Sequence, residues 1–202
     1  MPNTMNNFFS MTLVIMSVFT FLSGAASGQK ADKPALKTVQ SVDLARYVGK
    51  WYEIAKYPNR FQKQCVANTT ANYTMKPNGK IEVRNECLLK NGTTEKAVGE
   101  AKIADKKTNA KLKVRFAPGA LSFLPFVWGD YWIIDLDADY KYVAIGEPKR
   151  NYFWILSRTP TLETATYQNL MRRAEKLGFD PAKVEKSPQN AEVLNGAVLI
   201  KP

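Results

Sequence analysis

Between Trp51 and Arg158 the chain falls into eight short runs, most of them alternating apolar and polar residues, separated by breaks rich in Gly, Pro, Asn or Asp. A period of two sends successive side chains to opposite faces of an extended strand. Many short strands with short breaks pair as antiparallel neighbours. The runs fall at about 51–57, 66–76, 80–88, 94–103, 110–116, 130–137, 141–146 and 152–158. In the fourth, Ala97, Gly99, Ala101 and Ile103 alternate with Lys96, Glu100 and Lys102; in the fifth, Leu112, Val114 and Phe116 alternate with Lys111, Lys113 and Arg115. One face is dry and the other wet, as in an antiparallel sheet solvated on one side. Pro77-Asn78-Gly79 joins the second and third runs, with Gly79 suited to the left-handed position of a three-residue hairpin loop. Pairing 76 with 80 then sets Tyr73 opposite Val83 and Met75 opposite Ile81.

The last run, Tyr152-Phe153-Trp154-Ile155-Leu156, is apolar on both faces, so something covers its outer side. The candidate is an amphipathic helix with Thr161 as N-cap, Glu163 in the first turn, a stripe of Tyr167, Leu170, Met171, Ala174 and Leu177, and Gly178 as stop. At the other end of the array, Ser41 or Asp43 caps a short helical turn that leads into Gly49-Lys50-Trp51-Tyr52-Glu53. Gly49 suits a tight turn, and Trp51 is large enough to plug one end of a small barrel.

Outside this array the chain is different. The first 28 residues carry no charge, and Met11 to Leu22 form an apolar run ending in Ser23-Gly24-Ala25-Ala26-Ser27-Gly28, which reads as a cleaved signal peptide. The run is shorter than the ~20 residues of a membrane span, and no cysteine stands near the cleavage region to carry a lipid. Residues 29–41 read as a flexible lead-in, 42–186 as the folded domain and 187–202 as an unassigned tail, in which Val198-Leu199-Ile200 could add an edge strand or pack on the surface. The formal charge of +11 belongs to the exported part. A basic surface suits anionic lipid head groups; without Lys/Arg clusters beside exposed aromatics, nucleic acid is not an expected partner.

Gly49-Lys50-Trp51-Tyr52-Glu53, Asp139-Tyr140 and Trp154-Ile155-Leu156-Ser157-Arg158, in that order, resemble the three motifs of the lipocalin family, and within it those of the bacterial lipocalins and apolipoprotein D. Ala138 departs from the Thr with which the second motif usually begins. The resemblance implies an all-β fold: an eight-stranded up-and-down antiparallel barrel, closed below and open above, with one C-terminal helix on its flank. It also implies that Arg158 packs over Trp51, a sensible pairing because a guanidinium stacks on indole. The ligand class it implies is a fatty acid, lysophospholipid or similar hydrophobic molecule, carried or stored in the periplasm or outside the cell in the service of membrane maintenance.

With Arg158 at the base, strand parity places Leu156, Trp154 and Tyr152 on the inner wall, joined by Leu112, Val114 and Phe116. Counting loops alternately puts 117–129 at the open end, and its Phe123, Phe126 and Trp128 make it apolar for a surface connection. Lys149 and Arg150 add charge in a neighbouring loop, giving a mouth for an amphiphile and a possible contact with an anionic membrane. Export and an even count make Cys65–Cys87 the natural disulfide. A plain register nevertheless leaves Cys65 four residues, roughly 13 Å, from the position facing Cys87, so the bond requires a bulge or a curling loop. An enzyme using Cys65 as nucleophile is the rival reading, weakened by the absence of any histidine as base or metal ligand. A protein-interaction module with a filled barrel is another. Neither cofactor nor metal is expected, and the oligomer is a monomer or homodimer.

Overall fold

The computed structural model describes Met1, residues 34–194 and residues 197–200. The expected signal peptide, 1–28, and the first part of the lead-in lie outside the described residues. Eight strands follow one another: β1 (Gly49–Lys56), β2 (Cys65–Met75), β3 (Ile81–Leu89), β4 (Thr94–Ile103), β5 (Lys111–Arg115), β6 (Gly129–Leu136), β7 (Tyr142–Gly146) and β8 (Phe153–Ser157). Each pairs antiparallel with the next, β8 pairs back with β1, and β1 pairs with β2, so the sheet closes on itself. Closure removes the free edges that would otherwise template aggregation. The β2–β3 register sets Tyr73 against Val83 and Met75 against Ile81, with Gly79 at a φ of 76° in the turn.

The alternation sorts side chains into two cores. Inside the barrel lie Trp51, Tyr73, Ile81, Val83, Leu112, Ile133, Val143, Ile145 and Leu156. Outside, Phe153 and Ile155 of β8 and Ala144 of β7 pack under helix α2 (Thr164–Lys176), whose Leu170 and Ala174 are buried against them. The helix thus covers the outer face of β8 that the sequence leaves apolar. It starts later than expected: Glu163, not Thr161, occupies the N-cap position, because the Thr161 carbonyl is engaged by the Thr159 hydroxyl in the preceding turn. Gly178, at a φ of 87°, ends it.

The base is closed by helix α1 (Leu44–Tyr47), capped by Asp43, whose carboxylate accepts from the Ala45 and Arg46 amides. Arg158 sits 3.8 Å over the Trp51 ring. Its guanidinium donates to the carbonyls of Lys50 at 2.9 Å, Arg46 at 2.7 Å, Tyr47 at 3.1 Å and Val48 at 3.0 Å. These carbonyls belong to the end of α1 and the Gly49 turn, so one side chain ties off the strand, the helix and the turn together. Trp51 donates its own indole N–H to the Tyr47 carbonyl at 2.8 Å. In the second motif the turn is held by Asp137, which accepts from the Asp139 and Lys141 amides, while Asp139 is exposed and paired with Lys141. Tyr140 accepts from the Asp43 amide at 2.7 Å and stacks with Arg46.

Two terminal segments differ from expectation. The lead-in is held from Pro34 onward: Leu36 is buried in the outer core, Val39 donates its N–H to the Ile133 carbonyl at 3.0 Å, and Pro34 accepts from Arg150. Isolated apolar residues in an aperiodic stretch carry no pattern that signals such anchoring. After α2, a two-residue strand β9 (Glu185–Lys186) pairs with Ala55 and Lys56 of β1. The chain then forms a separate hairpin, β10 (Ala191–Leu194) with β11 (Ala197–Ile200), so 198–200 joins a strand of its own neighbourhood and not the barrel edge.

Trp51→Ala leaves a cavity under a fully buried indole and is expected to cost ~3–5 kcal/mol. Arg158→Ala unpairs the base carbonyls and is expected to cost about 2–3 kcal/mol. Chemical denaturation measures both; wild-type stability in either variant contradicts the base assignment.

Candidate functional site

Strand order places the loops 57–64, 90–93, 116–128 and 147–152 at the end opposite Arg158. The barrel interior between them and the base is built in two layers. In the lower layer the phenols of Tyr47, Tyr131 and Tyr73 form a chain, with O···O distances of 2.7 Å from Tyr47 to Tyr131 and 2.9 Å from Tyr131 to Tyr73. The rings pack on one another and on Trp51. Burial strips the phenolate of water, so Tyr73 is pushed up to about 12 and Tyr47 and Tyr131 well above the ordinary tyrosine value. All three are neutral hydrogen-bonding groups at any physiological pH. Leu112 and Leu156 are buried in the same inner cluster as Tyr47 and Tyr73.

The upper layer is looser. Trp154 and Val114 are half-buried, and Tyr152 lies stacked on Trp154 with ring centroids 5.9 Å apart and planes 8° apart. Phe116 lies across Gly99, where a Cβ would meet its ring at 2.7 Å. The glycine is therefore what lets this aromatic lie flat on β4. Facing them, Asn85 on β3 stands between Ala71 of β2 and Ala97 of β4, small neighbours that leave room beside it. Its Oδ1 is buried with no hydrogen-bond partner among the described residues, a state that costs about 1–3 kcal/mol unless a donor arrives.

Asn85 is absent from the sequence expectation although parity with Ile81 and Val83 puts it on the inner wall. Phe61 and Gln62 are also absent, because their loop has no period. Phe61 packs against Tyr152 at 5.8 Å, and Gln62 accepts the Trp154 indole N–H at 3.1 Å.

The rim corrects two expectations. Phe123 and Phe126 are 78% and 80% exposed, as open-end residues can be, between two short 3₁₀ turns. Trp128 is not with them. It lies buried on the outer wall, with Lys102 and Arg115 over its ring at 4.2 and 5.1 Å and its N–H on the Ser122 carbonyl. The reason is parity: Gly129 pairs with Val114, so the residue before it faces outward with Arg115. Nor is Arg150 a free charge. Its guanidinium donates to the carbonyls of Leu177, Pro148 and Pro34, clipping the turn to the end of α2 and to the lead-in. Lys149 is exposed.

Cys65 and Cys87 are joined, with Cα atoms 5.5 Å apart. Two register shifts in β2, between Cys65 and Ala67 and between Ala67 and Thr70, draw Cys65 to Leu89 and close the expected gap. Asn68, at a φ of 52°, provides the irregularity. The bridge leaves no free thiol at Cys65 to act as nucleophile. Among the described residues, no group of three or more His, Cys, Asp or Glu side chains comes together to hold a metal.

The model of the lipocalin-like domain matches residues 42–189. The chain belongs to the lipocalin family. Members of this family bind small hydrophobic ligands. Temperature-induced lipocalin-1 of Arabidopsis thaliana is 44% identical over 161 residues, covering 79% of this chain and 86% of the relative. The outer membrane lipoprotein Blc of Escherichia coli is 34% identical over 172 residues, covering 85% and 92%. Apolipoprotein D of Macaca fascicularis is 34% identical over 191 residues, covering 89% and 95%. Among solved structures, insecticyanin of Manduca sexta superposes with a TM-score of 0.61 at 24% identity, covering 81% of this chain and 87% of that one, a likeness of fold. The lipocalin barrel is thus established by sequence and topology alike.

The phenol layer has a pH signature. Unfolded tyrosines ionise near ~10, whereas Tyr73 in the folded state holds its proton to about 12. The unfolded chain therefore binds fewer protons in that window. This contribution to stability is intact below pH ~10 and is lost as pH rises through about 12, at roughly 1.4 kcal/mol per pH unit per phenol. Denaturation midpoints across this range should fall steeply in the wild type and less steeply in Tyr73→Phe. Removing the disulfide as Cys65→Ser/Cys87→Ser releases a loop with a sequence separation of 22. This should cost about 3 kcal/mol with the barrel's circular dichroism preserved.

Proposed function

We propose that this lipocalin carries a fatty acid, lysophospholipid or similar single-chain amphiphile, tail inward, in an exported compartment where it serves membrane maintenance. The observation that carries the reading is the upper inner wall, where half-buried Trp154 and Val114 pack against the inner core, Tyr152 stacks on Trp154 and Phe116 lies beside Gly99. Such a wall grips an acyl chain by contact area and offers no chemistry. The unpartnered Asn85 Oδ1 gives a ligand hydroxyl at that depth a place to donate. Around the rim, exposed Phe61, Phe123 and Phe126 with exposed Lys149 suit peripheral contact with an anionic membrane. The uncharged, apolar first 28 residues support export, as do relatives named for the outer membrane and as an apolipoprotein. With no histidine and Cys65 tied in a disulfide, a binding role is favoured over an enzymatic one. The binding unit is one barrel, in a monomer or homodimer.

Fluorescence competition on the delipidated protein tests this with a lysophospholipid and a neutral monoacyl analogue of equal chain length. Trp154→Ala should weaken both by about tenfold, since it removes buried contact with the shared chain. Lys149→Ser should weaken only anionic amphiphiles, by about two- to fivefold at low salt and not at high salt. Arg150→Ser should lower stability and leave the charge preference unchanged. Failure of the wild type to bind any amphiphile, with no lipid co-purifying, rejects the reading.

A further inference from the structure

The barrel wall is not made by its eight strands alone. β1 pairs with β2 only from Gly49 to Tyr52, opposite Tyr73 to Thr70. Above that level the two strands part, and the C-terminal peptide runs between them. Lys186 and Glu185 pair with Ala55 and Lys56, and Ser187 donates its N–H to the Ile54 carbonyl at 2.9 Å. The Gln189 carboxamide bridges the seam, donating to the Glu53 carbonyl at 2.6 Å on one side and the Thr69 carbonyl at 2.8 Å on the other. On the β2 side the Asn68 amide donates to the Pro188 carbonyl, and the Asn68 side chain exchanges two hydrogen bonds with the Ala191 backbone. A residue in the left-handed region stands where the seam opens.

A polar relay runs from this peptide to the ligand wall. The Ser187 hydroxyl donates to Glu53 Oε1 at 2.6 Å, and Lys56 donates to the same oxygen at 3.2 Å. Gln62 Nε2 donates to Glu53 Oε2 at 2.6 Å, and Gln62 Oε1 accepts from Trp154 Nε1 at 3.1 Å and from Asn59 at 2.8 Å. Glu53 is 3% exposed. A carboxylate only accepts, so it forces the Gln62 amide to present its NH₂ to Glu53 and its oxygen to the indole. The orientation of Trp154 is thereby read from the charge and position of Glu53, and Glu53 is held by Ser187.

We infer that the C-terminal peptide Glu185–Ala191 is a wall of the ligand chamber, and that Ser187 is a positioning residue which sets the Trp154 indole through Glu53 and Gln62. The inference rests on the reading of Trp154 as a ligand-wall residue, but the positioning itself is measurable without ligand. In the full-length protein, the indole N–H resonance of Trp154, assigned by its loss in Trp154→Phe, should move in Ser187→Ala and return in Ser187→Thr. Affinity for a lysophospholipid should fall about fivefold in Ser187→Ala, the worth of one hydrogen bond. Gln62→Met should have the same effect, and the double variant should add little to either single one, as members of one relay do. Thr159→Val, which removes hydroxyl bonds at the closed end, controls for stability loss and should leave affinity and resonance unchanged.

An unmoved resonance in Ser187→Ala, additive losses in the double variant, or an equal affinity loss in Thr159→Val overturns the inference. If the wild type binds no amphiphile, the carrier reading fails, and the ligand-free resonance still decides the positioning.

Discussion

Everything in this barrel depends on the cation stacked at its base. Arg158 leaves β8, lies on the Trp51 indole and satisfies carbonyls from α1, the Gly49 turn and β1. A helix end and a tight turn at the mouth of a closed sheet leave carbonyls without partners, and buried carbonyls without donors are costly. A planar cation with five donors meets that need with one side chain, and its flat face also covers the ring below it. With the base sealed, the opposite end is the one free to open. Gly49 allows the arrangement by taking a φ of 96° and by lacking a Cβ, which would meet Arg158 Nη1 at 3.3 Å.

From that base upward the interior changes character. The phenol chain of Tyr47, Tyr131 and Tyr73 makes a polar but neutral layer directly above the Trp51 plug. Above it, Ala71, Asn85, Ala97 and Gly99 line β2, β3 and β4 by register, and Phe116, just after β5, lies beside Gly99.

The peptide after α2 gives the wall its asymmetry. A barrel whose strands part at one seam needs another segment to satisfy the exposed backbone groups there. Here the segment comes from residues 185–191, more than a hundred residues downstream of β1 and β2. It brings Ser187 to Glu53 and so links the end of the chain to the side chains around the ligand wall.

Much of this was legible in the sequence because it rests on local periodicity. Alternation defined the strands, the two-faced apolar run at 152–156 called for a covering helix, and the Gly-Trp and Arg motifs marked the base. Parity with Ile81 and Val83 also suffices to put Asn85 on the inner wall, and parity with Gly129 to put Trp128 on the outer one. What alternation could not reveal was anything that breaks it. The bulges around Asn68 that bring Cys65 to Cys87 depend on a backbone irregularity whose cost is offset only by tertiary contacts. Arg150 looked like a mouth charge until α2 and the lead-in supplied carbonyls for it. Gln62, Ser187 and Gln189 are ordinary polar residues in aperiodic stretches, and their roles follow from partners far away in sequence. The sequence by itself determined the strands, the helix and the plug, since side-chain period and residue size act locally. Only the tertiary structure decided where the wall opens, what closes it and which polar atoms face the chamber, because those are properties of segments that meet through folding and not through their own patterns.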